Sequence, residues 1–141
     1  MHAPDTPCLL LDEARMERNL TRLRRALDHH GVAFRPHVKT CKNPEIATRM
    51  RAGIESPGIT VSTLAEAEAF FQRGFDDQIY AVGIGPGKLA RVTSLVDQGL
   101  ALKLILDHTE TAHALAETPH QPAGGFDLLI EIDADGQRAG L

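Results

Sequence analysis

Three side chains of complementary chemistry stand at alternate positions in the run Arg35-Pro36-His37-Val38-Lys39-Thr40-Cys41-Lys42. Alternate residues of an extended backbone share a face, so Arg35, His37 and Lys39 set a guanidinium, an imidazole and an amine side by side. On the inward face of a barrel such positive charge has no evident structural purpose. The chemistry it suggests is nucleophilic: an amine kept reactive by cationic neighbours and partial burial, able to form an imine with a carbonyl compound. The bland alternative, an edge strand with solvated lysines, stays open on these residues alone.

A second polar group lies near the other end, in Glu131-Ile132-Asp133-Ala134-Asp135-Gly136-Gln137-Arg138-Ala139-Gly140. Gly136 and Gly140 permit a tight turn, and Arg138 between them offers a permanently charged planar donor to an anionic oxygen. An ordinary surface turn fits the same residues. Gly83-Ile84-Gly85-Pro86-Gly87-Lys88 is not a phosphate-binding loop, because Leu89 stands where Ser or Thr belongs and Pro86 removes an amide. It is expected to be the turn into a helix. No metal site is expected: His29, His30, His108, His113 and His120 lack ligand spacing and are expected at the surface.

The elements that must position these groups alternate. Apolar or β-branched runs at 8–11, 33–38, 59–61, 79–82, 102–106 and 126–132 read as strands. Helical stretches lie between them, with Gly31, Gly53, Gly74, Gly99 and, less cleanly, Gly124 near their ends as C-terminal caps. Asp12 caps the first helix, whose apolar stripe is Met16, Leu20, Leu23 and Leu27, while Arg15, Arg18, Arg22 and Arg25 form a solvated face. Thr63 and Glu66 form a capping box at the third helix.

Strands alternating with helices of this length are parallel and joined by right-handed crossovers. The choice lies between an open doubly wound sheet and a (β/α)8 barrel. About five units are present where a closed barrel needs eight and typically about 250 residues. The expectation for residues 1–141 is therefore the N-terminal part of a TIM barrel, truncated before closure. In parallel α/β folds chemistry gathers at the C-terminal strand ends, which is where both polar groups fall.

Composition narrows the class. A 141-residue chain that is 43% hydrophobic and 24% charged is globular rather than disordered. Its net charge of −4 gives no general attraction to nucleic acid or an acidic membrane surface. No apolar stretch is long enough for a membrane span and no secretory leader is evident, so a cytoplasmic protein is expected. Cys8 and Cys41 are expected to be free thiols.

The stretch Arg35-Pro36-His37-Val38-Lys39-Thr40-Cys41-Lys42 resembles the Arg-Pro-His-x-Lys-Thr-His-Lys signature of D-threonine aldolases and eukaryotic-type D-serine dehydratases, fold-type III pyridoxal-phosphate (PLP) enzymes with an alanine-racemase barrel. The resemblance extends through Thr6–Asp12 and Gly58–Glu68 to Asp133-x-x-Gly136-x-Arg138-x-Gly140. It implies that Lys39 carries the cofactor as a Schiff base, that Arg138 bonds its phenolic oxygen, and that His37 lies beside the ring. It also implies a lyase acting on D-amino acids, with the aldolase branch favoured by the segments around Glu66 and Gly85–Arg91 and the dehydratase as alternative. A non-catalytic PLP carrier or an inactive fragment is the reading from another class. A divalent metal, bound by residues beyond this chain, and a homodimer are implied only for the full-length form. Cys41 departs from the signature, which has histidine there.

Overall fold

The computed structural model describes residues 4–55, 58–119 and 121–141. Helix α1 (Glu13–His30) begins where Asp12 accepts a hydrogen bond from the Arg15 amide at 2.8 Å and ends at Gly31, whose φ of 61° is the left-handed conformation that glycine adopts without penalty. The elements that follow are α2 (Pro44–Arg51), β1 (Ile59–Val61), α3 (Leu64–Phe71), β2 (Asp77–Tyr80), a 3-10 turn (Pro86–Lys88), α4 (Leu89–Asp97), β3 (Ala101–Leu106), α5 (Thr109–Glu117) and β4 (Asp127–Ile130). All strand pairs are parallel in the order β1-β2-β3-β4. This is the consecutive winding of a parallel α/β barrel wall, present here as a four-stranded arc.

Register divides the sheet into two faces. Thr60, Ile79, Lys103 and Asp127 lie side by side on one of them. Their neighbours Ile59, Val61, Tyr80, Leu102 and Leu104 turn the other way and are buried against Leu64, Ala67 and Phe70 of α3 and Val92 and Leu95 of α4. The first face is the barrel interior and the second carries the core under the helices. Gln78 is also on the helix side, fully buried, with its amide donating to the Ala67 and Phe75 carbonyls at 3.0 and 2.8 Å.

Two expected strands did not form. The run at 33–38 contributes a single bridge, His37 to Thr60, in which the Thr60 amide donates to the Pro36 carbonyl (2.8 Å) and the Val38 amide to the Thr60 carbonyl (3.0 Å). Pro36 lacks the amide a longer ladder requires. Residues 8–11 lie outside any sheet, with Leu9 and Leu10 fully or largely exposed. Apolar content does not make a strand when no neighbour takes its backbone hydrogen bonds. The last helix cap was also misplaced: α5 is capped at Thr118, and the left-handed residue is Gly125, in the turn before β4, rather than Gly124. Among the described residues no helix is long and apolar enough to cross a membrane.

Candidate functional site

His37 and Lys39 come together at the C-terminal end of the sheet. The His37 ring is half-buried, its Nδ1 accepting from the Lys39 backbone amide at 3.4 Å and its Nε2 lying 3.4 Å from Ser62 Oγ. An accepting Nδ1 carries no proton, so in the neutral ring Nε2 is the protonated nitrogen and donates to Ser62. Burial, then the charge of Lys39, lowers the His37 pKa below its ordinary value, against weaker opposing pulls from Glu66 and the Thr60 backbone. The neutral form of the imidazole is thus favoured. Lys39 itself is exposed, not partly buried as the sequence suggested, because the arc leaves the inward face open above it. Its Nζ has no salt bridge or side-chain hydrogen bond among the described residues.

Two other cations of this wall, Arg35 and Lys103, are paired with carboxylates. Arg35 forms an ion pair with Asp77 at 2.9 Å and donates to the carbonyls of Ile59 and Asp77 at 3.2 and 3.3 Å. Lys103 lies 3.7 Å from Asp77 and 3.4 Å from Asp127. The expectation that positive charge here has no structural purpose is corrected for Arg35, which ties the starts of β1 and β2 together. Gly58 makes this possible: at its φ of 132° a Cβ would overlap the Asp77 carbonyl and the Arg35 guanidinium. Asp77 and Asp127 open their strands, so this network sits at the opposite end of the sheet from Lys39.

Glu66 was legible as a helix-capping residue and does more. Thr63 Oγ1 accepts from the Glu66 amide at 3.0 Å, as a cap should, but the Glu66 carboxylate reaches one residue further back and accepts from the Ser62 amide at 2.8 Å. Its other oxygen lies 3.2 Å from Lys42 Nζ. Burial opposes the charge, yet the Ser62 amide, Lys42 and the Thr63 backbone hold the carboxyl below the ordinary range.

Arg138 lies in the loop after β4. The Asp133 carboxylate organises this loop by accepting from the amides of Arg138 and Asp135, and the Arg138 amide in particular depresses the Asp133 pKa. Gly140 donates to Asp107 Oδ2 at 3.2 Å, and at its φ of 130° a Cβ would overlap the Asp133 amide. The Arg138 side chain is exposed, and among the described residues no contact joins it to Lys39 or His37. The two sites share one end of the sheet, four strand steps apart around the arc.

Residues 11–141 match the family of alanine racemase N-terminal domains. The chain belongs to that family. It is 44% identical to D-threo-3-hydroxyaspartate dehydratase from Delftia sp. (strain HT23) over 97% of its own length and 36% of the dehydratase. The solved structure of that enzyme superposes with a TM-score of 0.90, covering 98% of this chain and 36% of the other. D-threonine aldolase from Arthrobacter sp is 34% identical, and D-serine dehydratase from Dictyostelium discoideum 29%, with 97% and 96% of this chain and 36% of each relative covered. The chain therefore spans about a third of the length of these lyases.

The remaining features of this alanine racemase N-terminal domain are structural. Pro86–Lys88 forms the turn into α4, and Lys88 Nζ donates to the Tyr80 hydroxyl at 3.0 Å. Cys41 Sγ lies 3.6 Å from the Val38 carbonyl and packs against the core, while Cys8 is exposed; both are free thiols. His29, His30, His108 and His113 are exposed, and His120 lies outside the described residues. Among the described residues no group of three or more His, Cys, Asp or Glu side chains is arranged to hold a metal.

Proposed function

We propose that residues 1–141 form the N-terminal wall of a PLP-dependent lyase of β-hydroxy-D-amino acids, with Lys39 as the cofactor-carrying residue, His37 beside the cofactor ring and Arg138 directed to its phenolic oxygen. The observation that carries the reading is the isolation of Lys39. Arg35, Lys42 and Lys103 each face a carboxylate, whereas Lys39 at the C-terminal end of the same wall has none among the described residues and stands beside an imidazole whose neutral form is favoured. An amine with no ion pair to break is available for covalent attachment to an aldehyde. When bound, PLP supplies an electron sink for a bond broken at the substrate Cα. His37 contributes a neutral face against the ring, since burial, then the charge of Lys39, disfavours its protonation. Arg138, on a loop fixed by Asp133 and Asp107, contributes a planar guanidinium donor to an anionic oxygen.

The relatives support a D-amino acid bearing a β-hydroxyl as substrate. Similarity weighs toward a dehydratase, at 44% identity against 34% for an aldolase. The reaction proposed is thus loss of the Cα proton and the β-hydroxyl as water, followed by hydrolysis of the resulting imine by water to a 2-oxo acid and ammonia; aldol cleavage to glycine and an aldehyde is the alternative that Gly85–Arg91 favours. The divalent metal implied for the full-length form is assigned to residues beyond this chain. A variant of D-threo-3-hydroxyaspartate dehydratase has been solved in a metal-free form.

The test is borohydride reduction with PLP followed by peptide mapping, on this chain and on a chimera that continues it with the remainder of the Delftia dehydratase. A pyridoxyl group on Lys39, lost in Lys39→Ala, is expected. No label at Lys39 in either polypeptide would sink the reading. Product analysis of the chimera on D-threo-3-hydroxyaspartate then separates elimination from cleavage.

A further inference from the structure

Glu66 is the one buried carboxylate among the described residues, and a charge that deep persists only where something holds it. Thr63 already caps α3, so the helix start does not need the carboxylate. What the carboxylate holds instead is the Lys39 turn, from both sides. One oxygen accepts from the Ser62 amide, and Ser62 Oγ receives the His37 ring; the other oxygen pairs with Lys42, three residues beyond Lys39. The Lys42 amide donates back to the Val38 carbonyl at 2.8 Å, and Lys42 has a φ of 45°, a conformation that a residue with a side chain rarely adopts unless held. Lys39 thus sits in a tight turn whose two flanks are tied to one carboxylate. Glu66 is the third residue of α3, in its first turn, where the helix dipole also favours that negative charge.

We propose that Glu66, acting through Ser62 and Lys42, is a positioning residue that fixes the Lys39 turn and the orientation of the His37 ring. Lys39 Nζ is then presented to the cofactor aldehyde rather than sweeping through solvent. In the attachment step Nζ forms a C=N bond with the aldehyde carbon, and the aldehyde oxygen leaves as water with the two amine protons. The inference rests on the PLP reading and adds to it a residue that never touches the cofactor.

The experiment measures the rate at which Lys39 takes the pyridoxyl label, in whichever of the two polypeptides is labelled there. Lys42 is largely exposed, so Lys42→Gln removes the ion pair without opening the core. It is expected to slow labelling of Lys39 on the order of tenfold or more at unchanged thermal stability, and Lys42→Arg, which keeps the cation, is expected to restore the rate. Glu66→Gln is expected to act in the same direction as Lys42→Gln. Equal labelling rates in wild type, Lys42→Gln and Glu66→Gln would overturn the positioning role while leaving Lys39 as the cofactor residue. If Glu66→Gln does not fold, the comparison of Lys42→Gln with Lys42→Arg decides alone. Absence of label on Lys39 in the wild type overturns the PLP reading, and the positioning role with it.

Discussion

At the scale of single residues, the two nitrogens of His37 act in opposite senses, and this gives the ring its own contribution to the response to acid. Nδ1 accepts from the Lys39 amide and the folded pKa lies below the ordinary 6.5. The fold therefore prefers the neutral ring. The stability this group contributes is fully present above pH 6.5 and is lost as the pH falls through its depressed folded value. His108 has the reverse sign, since Asp107 raises its pKa; its contribution is present below 6.5 and lost as pH rises through the folded value, but the pair is exposed and screened. His37→Asn is expected to flatten the acid-side fall in urea midpoint, compared above and below pH 6.5. An unchanged slope would show that the ring nitrogens are not held as described. The alternation of Arg35, His37 and Lys39 was readable in the sequence because it depends only on the period of an extended chain. The different fate of Arg35 was not, because its partner Asp77 lies 42 residues away and no local pattern joins them. The reach of Glu66 to Ser62 rather than Thr63 was equally hidden, since it depends on how β1 turns into α3.

At the scale of elements, what was legible followed local chemistry. The Asp12 and Thr63 caps and the left-handed glycines after α1 and α3 formed as their residue types require. The strands at 59–61 and 102–106 likewise appeared where β-branched and apolar runs placed them. The failures were segments whose structure depends on a neighbour. Residues 8–11 have no ladder partner among the described residues, and 33–38 keeps one bridge because Pro36 interrupts donation. Gly58 belongs to this scale, because it lets the β1 entrance pass against both the Asp77 carbonyl and the Arg35 guanidinium. Gly58→Ala combines a strained φ with a steric clash, so a loss of about 2 to 4 kcal/mol is expected, read from urea denaturation. A loss no larger than that of Ala at an exposed position would mean that the Arg35 layer is not tightly packed against β1.

At the scale of the whole molecule, the arc is well covered on one side only up to β3. Tyr80, Leu102 and Leu104 are buried under helices, whereas Leu128, Ile130 and Ile132, in and just after β4, are 41%, 64% and 67% exposed on the corresponding outward face. In this fold family each strand is covered by the helix that follows it, and the lyases matched are nearly three times as long as this chain. A parallel edge strand with apolar side chains and unpaired backbone groups is a template for association. The 141-residue polypeptide is therefore expected to self-associate through β4, at concentrations where a chimera completed from the Delftia dehydratase shows no association through that edge. Ile130→Lys with Ile132→Lys places charge on the face that is apolar here without touching the Lys39 turn. The double variant is expected to raise the concentration at which light scattering sets in and to leave labelling of Lys39 unchanged. If scattering begins at the same concentration in both, association runs through another surface, of which the exposed run Leu9-Leu10-Leu11 is the next to alter.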